Sequence, residues 1–116
     1  TVDTGASTTI CIGKSVLRQM KGVERTNAHI EQVGINAEVV CSDIVNCNVT
    51  FCNNFFPSVP IFVNQQSIEE TDGYVGLGFL KAFDMLVTPL SLFARYNGAP
   101  VASLDSYNAV RREGSC

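Results

Sequence analysis

The run Val2-Asp3-Thr4-Gly5-Ala6-Ser7 places a carboxylate at a tight turn, directly after a strand-forming residue and ahead of the apolar stretch at residues 10–12. Each residue type has a physical use there. Glycine lets the backbone turn and admits a reacting group closely, the Thr4 hydroxyl can lock the turn, and Ser7 can donate to the carboxylate or to a bound chain. Held and oriented in this way, Asp3 is a candidate acid or base. The plain alternative is an Asp-Gly turn whose side chain caps its own backbone and does no chemistry. A second run weighs against that alternative: Asp72-Gly73-Tyr74-Val75-Gly76-Leu77-Gly78-Phe79-Leu80 reads as two apolar residues, a glycine, then a short helix.

Other chemistry finds little support. There is no GxSxG elbow and no GxxxxGK phosphate loop, and Gly76-Leu77-Gly78 lacks the third spaced glycine of a dinucleotide loop. With one histidine, a Ser or Cys nucleophile would depend on His29, and nothing near it reads as a triad; the residue is expected on a strand arm or at the surface. Cys11, Cys41, Cys47, Cys52 and Cys116 contain no CxxC pair and fit no structural zinc spacing with His29. Free thiols are expected. Asn48-Val49-Thr50 is a glycosylation sequon inside an expected strand and is read as incidental.

The elements that must position Asp3 follow from length and pattern. A chain of 116 residues with 46% hydrophobic and 16% charged residues is expected to be one globular domain with a packed core. A net charge of -3 argues against nucleic acid and acidic membranes as partners, and no apolar run approaches a membrane span. No secretory signal is visible, the first residue is not Met, and the chain reads as a piece of a longer one, so localisation stays unassigned.

Most of the sequence reads as short strands. Alternation is clearest at residues 45–51, with Val45, Cys47, Val49 and Phe51 on one face. Asn53-Asn54 is the expected turn to a second strand carrying Val59, Ile61 and Val63, whose Pro57 and Pro60 suggest an edge position or late entry into pairing. A short helix is expected over residues 14–20, stopped by Gly22, with extended arms either side of Gly34. Asn97-Gly98 is the preferred dipeptide of a hairpin turn, and residues 97–116 read as a C-terminal hairpin and partly ordered tail beyond a domain at 1–96.

Together the Asp3 turn and the run ending in Gly76 resemble the aspartic proteases, most closely the single-lobed retropepsins of retroviruses and retrotransposons. The resemblance extends from Thr1 to about Tyr96. It implies an all-β fold, a closed β-barrel lobe with one short helix, a flap hairpin and a dimeric active site. Asp3 matches the catalytic aspartate and Thr4 and Gly5 complete the signature. Ala6 and Ser7 match positions lining the cleft, Val75 belongs to the second motif, and Gly34 and Ile35 fall at the expected flap tip. Many retroviral members carry an acid at the position of Ser7 and an arginine at that of Leu77, and here both are absent together. The run from Asp72 to Phe79 is similar to the corresponding part of the two-lobed pepsin-like enzymes.

The resemblance also implies an N-terminal strand, used in the dimer interface, that would precede these residues. It implies an aspartic endopeptidase, with two copies of Asp3 from a homodimer activating water on a peptide or polyprotein substrate. No metal or organic cofactor is required. Two other readings stand beside it: a noncatalytic peptide-binding or dimerisation module of the same fold, and one lobe of a pepsin-like protease.

Overall fold

The computed structural model describes residues 2–3, 5–33, 39–64, 73–107 and 110–111. These fold mainly as strands. In chain order they are β1 (Val2–Asp3), β2 (Ile10–Gly13), α1 (Lys14–Gln19), β3 (Glu24–Val33), β4 (Val39–Phe51), β5 (Asn54–Asn64), β6 (Gly73–Gly76), α2 (Leu77–Leu80), β7 (Phe83–Val87), β8 (Leu92–Tyr96) and β9 (Val110–Arg111), with a 3-10 turn at Leu104–Ser106. The all-β class is met. One sheet runs β1-β6-β2-β5-β4-β3-β9 and a second consists of β7 and β8.

The pairing order is open, with β1 and β9 at its two ends, so no closed barrel forms among the described residues. Two short helices stand where the resemblance implied one. The segment at residues 14–20 does coil as α1, and Gly22, at φ +71, supplies the left-handed conformation just beyond its end.

The hairpin of β4 and β5 is the backbone of the sheet. Its turn is Cys52-Asn53, one residue before the expected Asn53-Asn54, and both residues have positive φ (50 and 62) as a two-residue hairpin loop of this hand requires. The prolines have a clear place. Pro57 and Pro60 lie in the stretch of β5 before Ile61, whose described pairing is with β4; only from Ile61 to Asn64 does β5 also pair with β2. Late entry into pairing is therefore what the prolines mark, and the strand's second half is interior.

That interior position explains the unbroken apolar run Val59 to Val63. Val59, Ile61 and Val63 join Ile12, Val45, Phe56, Phe79 and Phe83 in the main core, whereas Phe62 faces a second cluster with Cys11, Ala28 and Ile44. A strand covered on both faces reads as continuous hydrophobics. Phe51, Phe56, Phe79 and Phe83 make edge-on ring contacts at centroid separations of 5.1–5.7 Å, with the Phe79 and Phe83 pair stacked at 5.6 Å. Val45, Cys47, Val49 and Phe51 all face this main core, as the alternation indicates.

The arms expected around Gly34 are β3 and β4, antiparallel and in register to Val33 opposite Val39. Gly34 and Ile35 themselves lie outside the described residues. His29 sits on the β3 arm and is buried, at 4% exposure, rather than at the surface.

Asn97-Gly98 does not open another hairpin. β7 and β8 turn instead at residues 88–91, where Thr88 N–H donates to Ser91 O (2.8 Å) and Ser91 N–H to Thr88 Oγ1 (3.0 Å). Asn97 closes the far end of the pair: its N–H donates to Ala82 O (2.8 Å) and its Oδ1 accepts from Ala99 N–H (2.8 Å). Its side chain is thus spent on capping, and no paired strand follows at residues 99–107. Those residues return to the sheet, with Ala102 N–H donating to Gly78 O (2.9 Å) and the Tyr107 ring packing edge-on against Phe62 at 4.9 Å.

Among the described residues the cysteines depart from expectation at Cys41. Cys11, Cys47 and Cys52 are free, but Cys41 is disulfide-bonded. Thiol spacing does not show which cysteines come within bonding distance, which is why the sequence pattern missed it.

Candidate functional site

β6 lies between β1 and β2, although β1 and β2 are consecutive in the chain. It runs parallel to β1, with Val2 opposite Val75 and Asp3 opposite Gly76, and antiparallel to β2, with Ile10 opposite Val75 and Cys11 opposite Tyr74. The connection from Asp3 to Ile10 must therefore arch over the end of β6. The two sequence runs meet at this arch.

Within the arch, Gly5 N–H donates to Asp3 Oδ1 (3.0 Å) and Ala6 N–H to Asp3 O (3.3 Å). These bonds fix the aspartate's rotamer from its own turn. A Cβ on residue 5 would sit 3.3 Å from Asp3 Oδ1, so a side chain there would crowd the carboxylate. Asp3 itself is exposed at the end of β1.

The arch is held from below by the chain leaving β6. Gly76 N–H donates to Thr9 O (2.7 Å), Leu77 N–H to Ala6 O (2.7 Å) and Gly78 N–H to Thr8 O (3.0 Å). Residues 76–78 thus saturate the carbonyls that the arch turns inward. Glycine at 76 is a steric requirement: a Cβ would overlap Thr8 O and approach Ala6 O to 2.9 Å. Thr8 and Thr9 are buried, and the Thr9 hydroxyl donates to Pro60 O, tying the arch to β5.

Two tyrosines flank this unit. Tyr74, across from Cys11 on β2, is half-buried; burial first and the Cys11 thiol second push its hydroxyl up to about 12, and the charge of Asp3 adds a smaller push in the same direction. The Cys11 thiol is also raised by burial, with Tyr74 opposing. Tyr107 reaches back 100 positions, its hydroxyl donating to Ser7 O at 3.1 Å. Burial raises its pKa, and a Thr9 backbone N–H opposes the rise.

Of the residues singled out in the sequence, Asp3, Gly5, Ala6, Ser7 and Val75 come together here. Thr4, Gly34 and Ile35 lie outside the described residues. Sequence reasoning gave no site role to Thr8, Thr9, Gly78 or Tyr107. Two adjacent threonines ahead of an apolar strand were a legible hint of buried hydroxyls, whereas nothing local to Tyr107 points to a partner so far away. Among the described residues no group of three or more His, Cys, Asp and Glu side chains is placed to hold a metal ion, and no helix is long and apolar enough to cross a membrane.

Chemically, the arch presents one oriented, solvent-facing carboxylate on a rigid support. Comparison of the chain with protein-family models, with curated proteins and with solved structures finds no significant match.

Proposed function

We propose that this chain is a retropepsin-like aspartic endopeptidase lobe that acts as a homodimer, each copy contributing one Asp3. The observation that carries the reading is the threading of β6 between β1 and β2, with Gly76 opposite Asp3 and the Asp3 arch closed over it. These 116 residues contain one Asp-Thr-Gly, and in this reading a second copy across a two-fold axis supplies the second carboxylate.

Two carboxylates about 3 Å apart do not both ionise readily, so the pair shares one proton, the paired-aspartate proteases being the standard instance. The ionised member takes a proton from a water held between the two. The protonated member donates to the scissile carbonyl oxygen as the water oxygen attacks its carbon. A proton then passes to the amide nitrogen as the C–N bond breaks, leaving a carboxylic acid and an amine. Peptide lies extended along Ala6, Ser7 and Val75, gaining backbone hydrogen bonds as an added strand does. Apolar side chains dominate the motif segments, which favours hydrophobic residues beside the cut.

The test is cleavage of a mixed peptide library between about pH 4 and 7, followed by mass spectrometry, by the wild-type chain and by Asp3→Asn. Cutting next to hydrophobic residues that disappears in Asp3→Asn, with dimerisation by sedimentation unchanged, is expected. A folded dimer that binds peptides equally well with either residue and cuts none refutes the enzyme.

A further inference from the structure

A pocket of about 370 Å³ opens against the arch, walled by Ser7, Leu77, Lys81, Ala102, Ser106 and Tyr107. Its walls are fastened to the motif loops through Leu77 N–H on Ala6 O (2.7 Å), Tyr107 Oη on Ser7 O (3.1 Å) and Ala102 N–H on Gly78 O (2.9 Å). The pocket therefore keeps a fixed position relative to Asp3. Ala6 N–H closes a turn onto Asp3 O, which brings the two Cα atoms within about 7 Å, and Ser7 follows directly. Leu77 follows Gly76, the strand partner of Asp3. An extended peptide rises about 3.3 Å per residue, so a residue two or three positions from the cut lies about 7–10 Å along the chain from it.

The lining has a definite chemistry. Leu77 is a large apolar residue left 47% exposed, and Ala102 adds to that floor. Lys81 is the one charged side chain of the wall, and its ammonium has no carboxylate partner among the described residues. Ser7 and Ser106 add polar residues to the lining, the Ser106 hydroxyl being held by Ser103, whose N–H donates to it (3.3 Å). An apolar floor beside a cation with no carboxylate partner among the described residues suits a side chain with methylenes and a terminal carboxylate.

We propose that this pocket is a substrate subsite and that Lys81 sets in it a preference for an acidic residue, glutamate above all, two or three positions from the cleaved bond. The assignment rests on the endopeptidase reading. The closing experiment separates the two. A peptide cut by the wild type is resynthesised with Glu, Gln or Lys at each position up to four residues either side of the bond, and kcat/KM is measured for the wild type and for Lys81→Glu.

At one position Glu is expected to exceed Gln by about three- to tenfold, the range of a partly exposed charge-assisted contact, and Lys81→Glu is expected to invert the order of Glu and Lys there while leaving peptides varied elsewhere unchanged. Lys81 is exposed, so the variant keeps the wild-type melting curve. Cleavage without an acidic preference, or with one that Lys81→Glu leaves intact, overturns the subsite and spares the enzyme. Should the wild type cut nothing, fluorescence anisotropy of a labelled hydrophobic library peptide carrying Glu, Gln or Lys at each position in turn decides. Tighter binding of the Glu peptide that inverts in Lys81→Glu keeps the pocket and removes the catalysis, and no discrimination removes both.

Discussion

Replacing Gly78 by alanine is expected to be among the most damaging single-methyl additions in this chain, and the structure gives the magnitude. The new Cβ would overlap the Tyr107 hydroxyl, lie 2.8 Å from Ser7 O and 3.0 Å from Thr8 C. The first obstacle is the end of a side chain and gives way by abandoning its hydrogen bond to Ser7 O, which is worth about 1 kcal/mol. The other two belong to the arch backbone, and moving them strains the loop by about 1–3 kcal/mol. The total expected loss is about 2–4 kcal/mol. Tyr107→Phe alone should lose about 1 kcal/mol, because its ring keeps its contact with Phe62 at 4.9 Å.

In the double variant the hydroxyl is lost once rather than twice and one obstacle is gone, so the two effects should fall short of additivity by about 1 kcal/mol. Urea denaturation followed by far-UV circular dichroism measures all four corners of the cycle. Gly98→Ala is the reference: at φ +84 with no atom near its Cβ, it carries only left-handed strain of about 1 kcal/mol. Strict additivity, or a Gly78→Ala variant no worse than Gly98→Ala, would refute the packing of the C-terminal segment against the arch.

The core and the tyrosine beside Asp3 give two further expectations. Phe79→Ala removes a fully buried ring from contact with three others and should lose about 3–5 kcal/mol, seen as a collapse of the urea midpoint with no change in slope. Tyr74 is raised from 10.0 to about 12 in the folded chain, so the fold favours its neutral form; that contribution is complete below about pH 10 and is lost as pH climbs through 12. Wild type should therefore lose stability more steeply than Tyr74→Phe between pH 10 and 12, and parallel curves would show that Tyr74 is not shielded.

What was legible in the sequence was local. Alternation along Val45, Cys47, Val49 and Phe51 found the face of β4, and an apolar pair followed by Gly76 found the strand and helix that underlie the arch. The same local logic misread Asn97-Gly98, because an Asn side chain free to cap Ala99 and the β8 end competes with the turn that the dipeptide favours. It placed the Cys52-Asn53 turn one residue late, since asparagine was credited and a cysteine at φ 50 was not. Non-local facts were out of reach. The Cys41 disulfide and the bond from Tyr107 to Ser7 depend on which segments the sheet brings together, and no spacing rule encodes that.

The threading of β6 also sets when the site exists. Among the described residues β1 pairs only with β6, so Val2 and Asp3 have no strand to join until Val75 and Gly76 are available. During synthesis the chain emerges in order from N- to C-terminus, so the Asp3 segment awaits its β6 partner while the β4 and β5 hairpin collects its core. Such distant pairing is slow to form. Tyr107 then seals the arch from a point later still. The Asp3 arch is thus supported only after residues made later have joined it, and under the proposed reading a nascent chain carries no completed site.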